Sequence, residues 1–499
     1  MDTPSLDAFE HHLTSPQGLG RLPAGAATVS VGGGSCCDRM RFSVLVRGGR
    51  VLDAGFDAEG CGAATAAGSA AVTLVRGESL LHAAALGTGQ IAAELGGLSA
   101  GKLHAAELAA DALARALGTG ARRGAAMEPH PGRTLVAMSG GVDSAVAALR
   151  CAESGEALAV TLELWADSEH DAERSCCSAS AVAQARALAH SLGLPHFTLD
   201  LRREFRAGVV EPFIAGYAAG DTPNPCVRCN GHVRLDAMLE LAQRLGCESL
   251  ATGHYARTAE DEHPDGPLLR LAADRAKDQT YMLAALSPAS LARMCFPLGE
   301  LTKPQVREIA AGAGLPVADK ADSQDLCFLA GTDRARFMAR HGGPHDRGGA
   351  VVDRGGSVLA RHHGQHRFTV GQRRGIGVSG GAPLYVLDKD AAANLVLVGP
   401  RSALRSTRVA VTDARLHRPG ARVDCVKLRY RSAPLRARLP AGVAPGTHAA
   451  LTIDLDDAAE GVAPGQLACL MDGELVVGWG TIARERPPVG GWAADHAGA

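Results

Sequence analysis

The chain has 499 residues, a formal net charge of −2 and a hydrophobic content of 46%, which predicts two to four domains with sizeable cores and excludes a globally basic nucleic-acid binder, confining any RNA contact to local basic surfaces. Its 13 cysteines are too sparse for a small secreted disulfide scaffold and read as metal ligands, redox groups or buried apolar fillers. No apolar run reaches bilayer length and the first twenty residues lack a basic-then-apolar leader, so a cytoplasmic location without a membrane partner is expected.

Residues 1–117 read as a small α+β unit, with strands at 42–46 and 50–54 followed by Ala-rich helical stretches, among them 103–117. Cys36-Cys37-Asp38 precedes the first strand, Cys61 stands between two glycines, and His104 opens the last helical stretch. Cys36, Cys61 and His104 brought together, with Asp38 as a carboxylate, make a metal-ligand set. The competing reading, buried thiols and a surface histidine, is disfavoured by the glycines that expose Cys61 at a turn. Residues 118–132 have linker composition.

Residues 133–334 alternate strands (135–138, 157–162, 196–200, 249–252) with helices (142–150, 181–192), which predicts a doubly wound parallel α/β sheet. Residues 335–401 form a small linking domain of short strands and Gly-rich turns, and 402–484 read as an all-β, barrel-like domain. The tail 485–499, with two adjacent prolines and little periodicity, is expected to be disordered. The whole is thus a multidomain α/β protein.

Ser139-Gly140-Gly141-Val142-Asp143-Ser144 lies between an apolar strand and a helix. Exposed amides and the positive end of the helix dipole at such a junction hold phosphate oxygens, the glycines allow close approach, and the serines donate hydrogen bonds. Asp143 beside phosphates makes sense if it holds Mg²⁺ or fixes the loop. An ordinary Gly-containing turn is the alternative, but the strand–loop–helix order favours phosphate, and no GxxxxGK[ST] follows any strand. The loop resembles the PP-loop of ATP pyrophosphatases, which implies ATP cleavage between the α- and β-phosphates and adenylation of a substrate oxygen.

Thr222-Pro223-Asn224-Pro225-Cys226-Val227-Arg228-Cys229-Asn230 presents a CxxC from a proline-stiffened approach, and Arg228 or a helix starting near Asn230 would favour thiolate. A third thiol, Cys327, lies in DSQDLCF. TPNPxxxCN, ATGHY at 251–255, KDQTY at 277–281, FPLGELTKPQVR at 296–307, DSQDLCF at 322–328, FTVGQRRGIG at 368–377, KLRYR at 427–431 and APGQ at 463–466 together resemble the tRNA-specific 2-thiouridylase (MnmA) family over roughly 133–483. The resemblance implies ATP- and Mg²⁺-dependent 2-thiolation of wobble uridine 34 of tRNA, with Cys229 as nucleophile and Cys327 as persulfide carrier. It places Ala137, Met138, Ser139, Gly140, Gly141, Val142, Asp143, Ser144, Leu162 and Gly253 at the nucleotide. His254, Lys277, Asp278, Gln279, Arg429, Tyr430 and Gln466 fall on tRNA-contacting positions. The best-known members have Asp where this chain has Cys226. Two thiols suit a persulfide–disulfide cycle, whereas Cys226, Cys229 and Cys327 together suit three irons of a [4Fe–4S] cluster, and a structural zinc, which usually has four protein ligands, is a third reading.

Residues 30–117 are similar to the IscU/NifU iron–sulfur scaffold family, with Cys36, Asp38, Cys61 and His104 on its site and Ala105 where the family has a last cysteine. A zinc site, a labile cluster, or a docking surface for a cysteine desulfurase or other sulfur donor follows from that likeness. Cys176-Cys177 read as local or incidental, and Cys151, Cys247, Cys295, Cys425 and Cys469 as core fillers. Arginines at 361, 367, 373 and 374, and basic residues at 422, 427, 429, 431, 436 and 438, suggest a local RNA track. The rivals to a 2-thiouridylase are a PP-loop enzyme acting on another tRNA base and a metal-trafficking protein.

Overall fold

A computed structural model describes residues 6–32, 37–165, 179–261, 263–321, 326–329, 332–379 and 381–484. Cys36, Cys176, Cys177, the whole DSQD segment before Leu326 and the expected disordered tail 485–499 lie outside the described residues. The chain divides into two compact units: residues up to 203 with 236–254 and 293–330, and residues 204–235 with 255–292 and 331 onward.

The first unit begins with helix α1 (Leu6–Thr14) and an antiparallel sheet of β1 (Ala27–Gly32), β2 (Arg39–Arg47) and β3 (Arg50–Glu59). Helices α2 (Gly62–Val75), α3 (Leu80–Ala84), α4 (Thr88–Glu94) and α5 (Leu103–Arg123) follow. Small residues decide how closely they pack. A Cβ at Gly68 of α2 would lie 2.4 Å from the Phe56 ring, and one at Gly120 of α5 would lie 2.9 Å from Val46.

The same unit continues with β4 (His130–Ala137), α6 (Val142–Ser154), β5 (Ala157–Glu163), α7 (Ala179–Ser191) and β6 (His196–Asp200). After an interruption come β7 (Cys247–Ala251) and the two-residue strand Met294–Cys295. These strands form a 5-stranded parallel sheet in the order Met294–Cys295, β7, β4, β5, β6. Every residue of β5 is buried, as expected for a strand covered on both faces. The doubly wound sheet expected from the sequence is therefore present.

One element differs from the sequence reading. The stretch expected to be linker from Gly118 is still helix up to Arg123, and β4 starts at His130. Gly118 and Gly120 are sites of close approach: a Cβ at Gly118 would stand 2.3 Å from the Thr198 carbonyl oxygen on β6. Helix α5 thus packs between the small sheet and the edge of the large one.

In the second unit, residues 349–399 build a 4-stranded sheet from Gly349–Val352, Val358–His362, Tyr385–Asp390 and Leu395–Gly399. The remaining strands, Arg405–Leu416, Cys425–Lys427, Leu435–Arg438, Gly446–Glu460, Leu467–Asp472 and Leu475–Ile482, close into a barrel because the first pairs with both Gly446–Glu460 and Leu475–Ile482. Val409, Ile453, Leu470 and Val477 fill it. A hairpin from far upstream, Arg257–Ala259 and Leu268–Arg270, extends the sheet along Leu475 and Val476, which the sequence did not announce. Among the described residues no helix is long and apolar enough to cross a membrane.

Candidate functional site

The N-terminal donors converge from three elements. Asp38 precedes β2, Cys61 is the N-cap of α2, and His104 lies in the first turn of α5. The Cys61 amide donates to Asp38 Oδ1 at 3.1 Å, and Cys61 Sγ lies 3.1 Å from Asp38 Oδ2. His104 Nε2 stands 3.4 Å from Asp38 Oδ2 and 3.8 Å from Cys61 Sγ. The three ligand atoms thus stand 3.1–3.8 Å apart, close to the roughly 3.3–3.8 Å between ligand atoms of a tetrahedral zinc-type site. His104 Nδ1 lies 2.9 Å from the Gly101 carbonyl, so Nδ1 carries the proton and Nε2 offers its lone pair to a metal. Gly60, at φ +139°, is required, since a Cβ would fall 2.0 Å from Asp38 Oδ1. The three donors thus fit a zinc or iron ion. Cys37 is exposed in a left-handed conformation, and Ala105 is fully buried.

The phosphate loop runs from the end of β4 into α6. Ser144 Oγ donates to the Gly141 carbonyl at 3.0 Å and receives the Ser139 amide at 3.1 Å. Gly140 takes φ +70°, which a side chain would strain. Two lysines that sequence reasoning did not single out hold this loop. Lys303 Nζ, nearly buried, reaches both Asp143 oxygens at 2.8 Å, and Lys320 Nζ donates to the Gly140 carbonyl at 2.9 Å. Of the two roles expected for Asp143, fixing the loop is the one this ion pair expresses. Gly253 packs directly on the loop, where a Cβ would meet the Asp143 carbonyl carbon and the Ser144 nitrogen at 2.8 Å. Ala137 pairs with Val160, the Met138 amide donates to the Val160 carbonyl at 2.8 Å, and Leu162 sits buried near the end of β5. All ten nucleotide-site candidates therefore lie in one unit, at the carboxyl ends of parallel strands where α/β sheets bind ligands.

The thiol helix starts earlier than expected. It spans Pro225–Cys229, not from Asn230, with the Asn224 side chain accepting from the Cys226 and Val227 amides at 3.2 and 3.3 Å. Cys226 is half-buried in the first turn and Cys229 is buried, one turn further. Arg228 Nε donates to the Gly208 carbonyl at 2.6 Å. The approach to this helix is pinned: the Thr222 amide donates to the Pro464 carbonyl at 2.8 Å, Gln466 Nε2 to the Thr222 carbonyl at 2.6 Å, and Arg484 Nη2 meets Asp221 Oδ1 at 3.1 Å. Lys389 Nζ donates to the Phe368 carbonyl at 2.9 Å, and burial, with Arg484 and Arg334 nearby, pushes its pKa down to about 7. Cys327, half-buried in a short 3₁₀ turn, belongs to the other unit. Of the five cysteines expected as fillers, Cys151, Cys247, Cys425 and Cys469 are buried and Cys295 is exposed.

Several tRNA-contact candidates have their side chains engaged within the protein. Asp278 is buried and accepts from the Ala272 amide and the Thr280 hydroxyl. Gln279 Oε1 accepts from the Tyr255 amide at 3.0 Å, Arg429 donates to the Gly461 carbonyl, and Gln466 holds Thr222. His254 Nδ1 lies 2.9 Å from Thr252 Oγ1, and the Lys277 amide donates to Asp274. Tyr430 lies against Tyr281 with ring centres 6.5 Å apart. In the basic clusters, Arg367, Arg422, Arg436 and Arg438 pair with Asp346, Asp261, Asp424 and Asp456, whereas Arg361, Arg373 and Arg374 are exposed.

Family models match in the same order as these sites. The NifU-like N terminal domain covers residues 6–125, the tRNA methyl transferase HUP domain 132–331, the tRNA methyl transferase PRC-barrel domain 335–400 and the aminomethyltransferase beta-barrel domain 406–482. A bifunctional protein NifU/MnmA of Rubrobacter xylanophilus is 42% identical over 95% of this chain and 97% of its own length. The chain belongs to the NifU-fused branch of the tRNA-specific 2-thiouridylase (MnmA) family. MnmA proteins without the fused domain align beyond it: that of Chloroflexus aggregans is 43% identical over 71% of this chain and 99% of its own length, and that of Geotalea uraniireducens 39% over 70% and 94%. Within this family setting Lys303 was already legible, inside the FPLGELTKPQVR stretch; what could not be seen was its buried ion pair with Asp143.

Proposed function

We propose that the chain is a tRNA uridine 2-sulfurtransferase that thiolates the wobble uridine at the expense of ATP, in the cytoplasm, with a cysteine desulfurase or another sulfur donor as partner. The observation that carries this reading is an intact phosphate loop, braced by Lys303 and Lys320, in a chain that also presents Cys226 and Cys229 on a capped helix. Mg²⁺ and the loop amides would take the ATP phosphates. The uridine, unstacked from its loop, would receive AMP on O2 with release of pyrophosphate. The terminal sulfur of a Cys327 persulfide then attacks C2, the Cys229 thiolate attacks the inner sulfur, and AMP leaves. The Cys327 inner sulfur and Cys229 end as a disulfide, so the two electrons that turn persulfide sulfur into thiocarbonyl sulfur come from these two thiols. An external reductant resets the pair.

A second reading of the donor rests on Cys226. It stands three residues before Cys229, so both thiols share one helix face, and with Cys327 they supply three ligands for a [4Fe–4S] cluster that would carry sulfide on its open iron. Asp278, Gln279 and Gln466, engaged as they are, would act in tRNA binding as positioning residues, and the exposed Arg373 and Arg374 would meet phosphates.

Single-turnover thiolation of tRNA by persulfide-loaded, metal-free protein tests this. Mass spectrometry should detect 2-thiouridine with the wild type and with Cys226→Ala, and none with Cys229→Ser. Thiolation only after anaerobic reconstitution with iron and sulfide, and its loss in Cys226→Ala, would select the cluster donor. Unchanged 2-thiouridine in tRNA from a deletion strain would overturn the assignment.

A further inference from the structure

Helix α5 carries the metal ligand His104 in its first turn, and two turns on it presents Asp111 and Arg115 to the parallel-sheet domain. There the two sides meet in a largely buried ionic network. Asp111 accepts from Arg115 Nε at 2.7 Å and from Arg186 Nη1, on α7, at 2.6 Å. Arg115 also pairs with Glu163, the last residue of β5, which Arg202 Nη1 approaches at 3.7 Å. Burial alone would raise the Asp111 carboxyl, but Arg115 and Arg186 outweigh it and hold it below the usual carboxylate range. His190 of α7 adds a bond to the Ala84 carbonyl at 3.2 Å.

The elements held in this way are those that frame the phosphate loop. Glu163 follows the nucleotide-site candidate Leu162 on β5. Helix α7 backs Gly140, whose Cβ position lies 3.4 Å from the Ala181 carbonyl and 3.7 Å from the Ala185 nitrogen. The metal site touches the same helix through open space: a cleft of about 550 Å³ is lined by Asp38, His104 and Glu107 on one wall and by Arg186 and His190 on the other. An ion at Asp38, Cys61 and His104 would draw the first turn of α5 against the rim of that cleft and stiffen the helix that braces α7 and β5.

We propose that Asp111 and Arg115 are positioning residues for the nucleotide site, and that metal occupancy at Asp38, Cys61 and His104 tightens nucleotide binding at the Ser139–Ser144 loop through them. This rests on the nucleotide-site reading above. Linkage makes the effect reciprocal: nucleotide tightens metal binding by the same factor. Ordering of shared elements by a first ligand lowers what the second must order, and this gives the coupling its positive sign.

The test is calorimetric titration of the full chain with a non-hydrolysable ATP analogue and Mg²⁺, before and after loading with one equivalent of Zn²⁺. Zinc is expected to lower the analogue's Kd at least threefold, typically fivefold or more for such couplings, and the analogue to lower the Kd for Zn²⁺ by the same factor. In Asp111→Asn both ligands should still bind, with coupling below threefold, and Asp111→Glu should restore it. The double variant Asp111→Asn/Arg186→Gln keeps the charge balance if the single variant folds poorly. A purely structural role would lower the Tm of these variants and leave the coupling in place, and that result overturns the proposal, as does a wild-type shift under threefold at full zinc occupancy. Failure of the analogue to bind at all would instead overturn the nucleotide site itself and this inference with it.

Discussion

At the N-terminal site three donors arrive from three different elements and meet within 4.8 Å, whereas Cys226 and Cys229 share one short helix. The first arrangement is held by the packing of a whole α+β unit: moving α2, α5 or the approach to β2 would dissolve it. The second is held locally, by an Asn cap and a proline at the first helical position, and then steadied by bonds to Thr222 from Pro464 and Gln466, in the loop between two barrel strands. Converging elements suit a site that must fit an ion before it arrives. A locally capped helix places its two thiols without help from other elements, an arrangement compatible with the sulfur-transfer role proposed for them.

The sharpest way to separate the two is Cys229→Ser. Single-turnover thiolation should fall by ~10³-fold or more while Zn²⁺ still binds the N-terminal site. If Cys61→Ser abolished thiolation by persulfide-loaded protein equally, the two sites would not be separable. Gly60→Ala probes the converging site alone: with φ +139° and a Cβ 2.0 Å from Asp38 Oδ1, the carboxylate must move, and Zn²⁺ affinity measured by chelator competition should drop ~10–100-fold. Gly253→Ala overpacks the phosphate loop and should raise the KM for ATP ~10-fold, an overpacking effect of about 1–2 kcal/mol, without changing zinc binding.

The smallest effect expected is a pH dependence near the thiol helix. Burial lowers the Lys389 pKa from 10.5 to about 7, so between those values the unfolded chain holds a proton that the folded one has released. Stability therefore rises with pH across that window, and below pH 7 the cost of burying the charge is complete. Urea midpoints should rise by the equivalent of about 1 kcal/mol between pH 7 and 8.5, and Lys389→Met should flatten that rise.

Much of this was legible because it rests on local chemistry. The strand–SGGVDS–helix order and the glycines beside Cys61 each state a geometry, and the structure shows both. Where a residue's purpose is set by a distant partner, the sequence is silent, and other misses came from signals that were short or read late. Gly118 and Gly120 belong to a stretch whose composition suggested a linker, but their missing side chains admit Thr198 and Val46. Asn224-Pro225 carried a helix start that was read too late, although an Asn cap followed by proline is a recognisable signal. The strands Arg257–Ala259 and Leu268–Arg270 are too short to show a period. Buried ionic partners such as Lys303 with Asp143, or Arg115 with Glu163, join residues 160 and 48 positions apart, beyond any sequence pattern.

Distance along the chain also sets an order of events during synthesis. The loop leading to Cys226 is fastened by Gln466, 244 residues after Thr222. At ordinary ribosomal speeds of roughly 5–20 residues per second, that fastener emerges about 10–50 s after the loop it secures. Cys226 and Cys229 therefore leave the ribosome well before their approach can be locked. The approach to both thiols is therefore fixed only late in folding, after the nascent chain has spent those seconds with them in an unsecured segment.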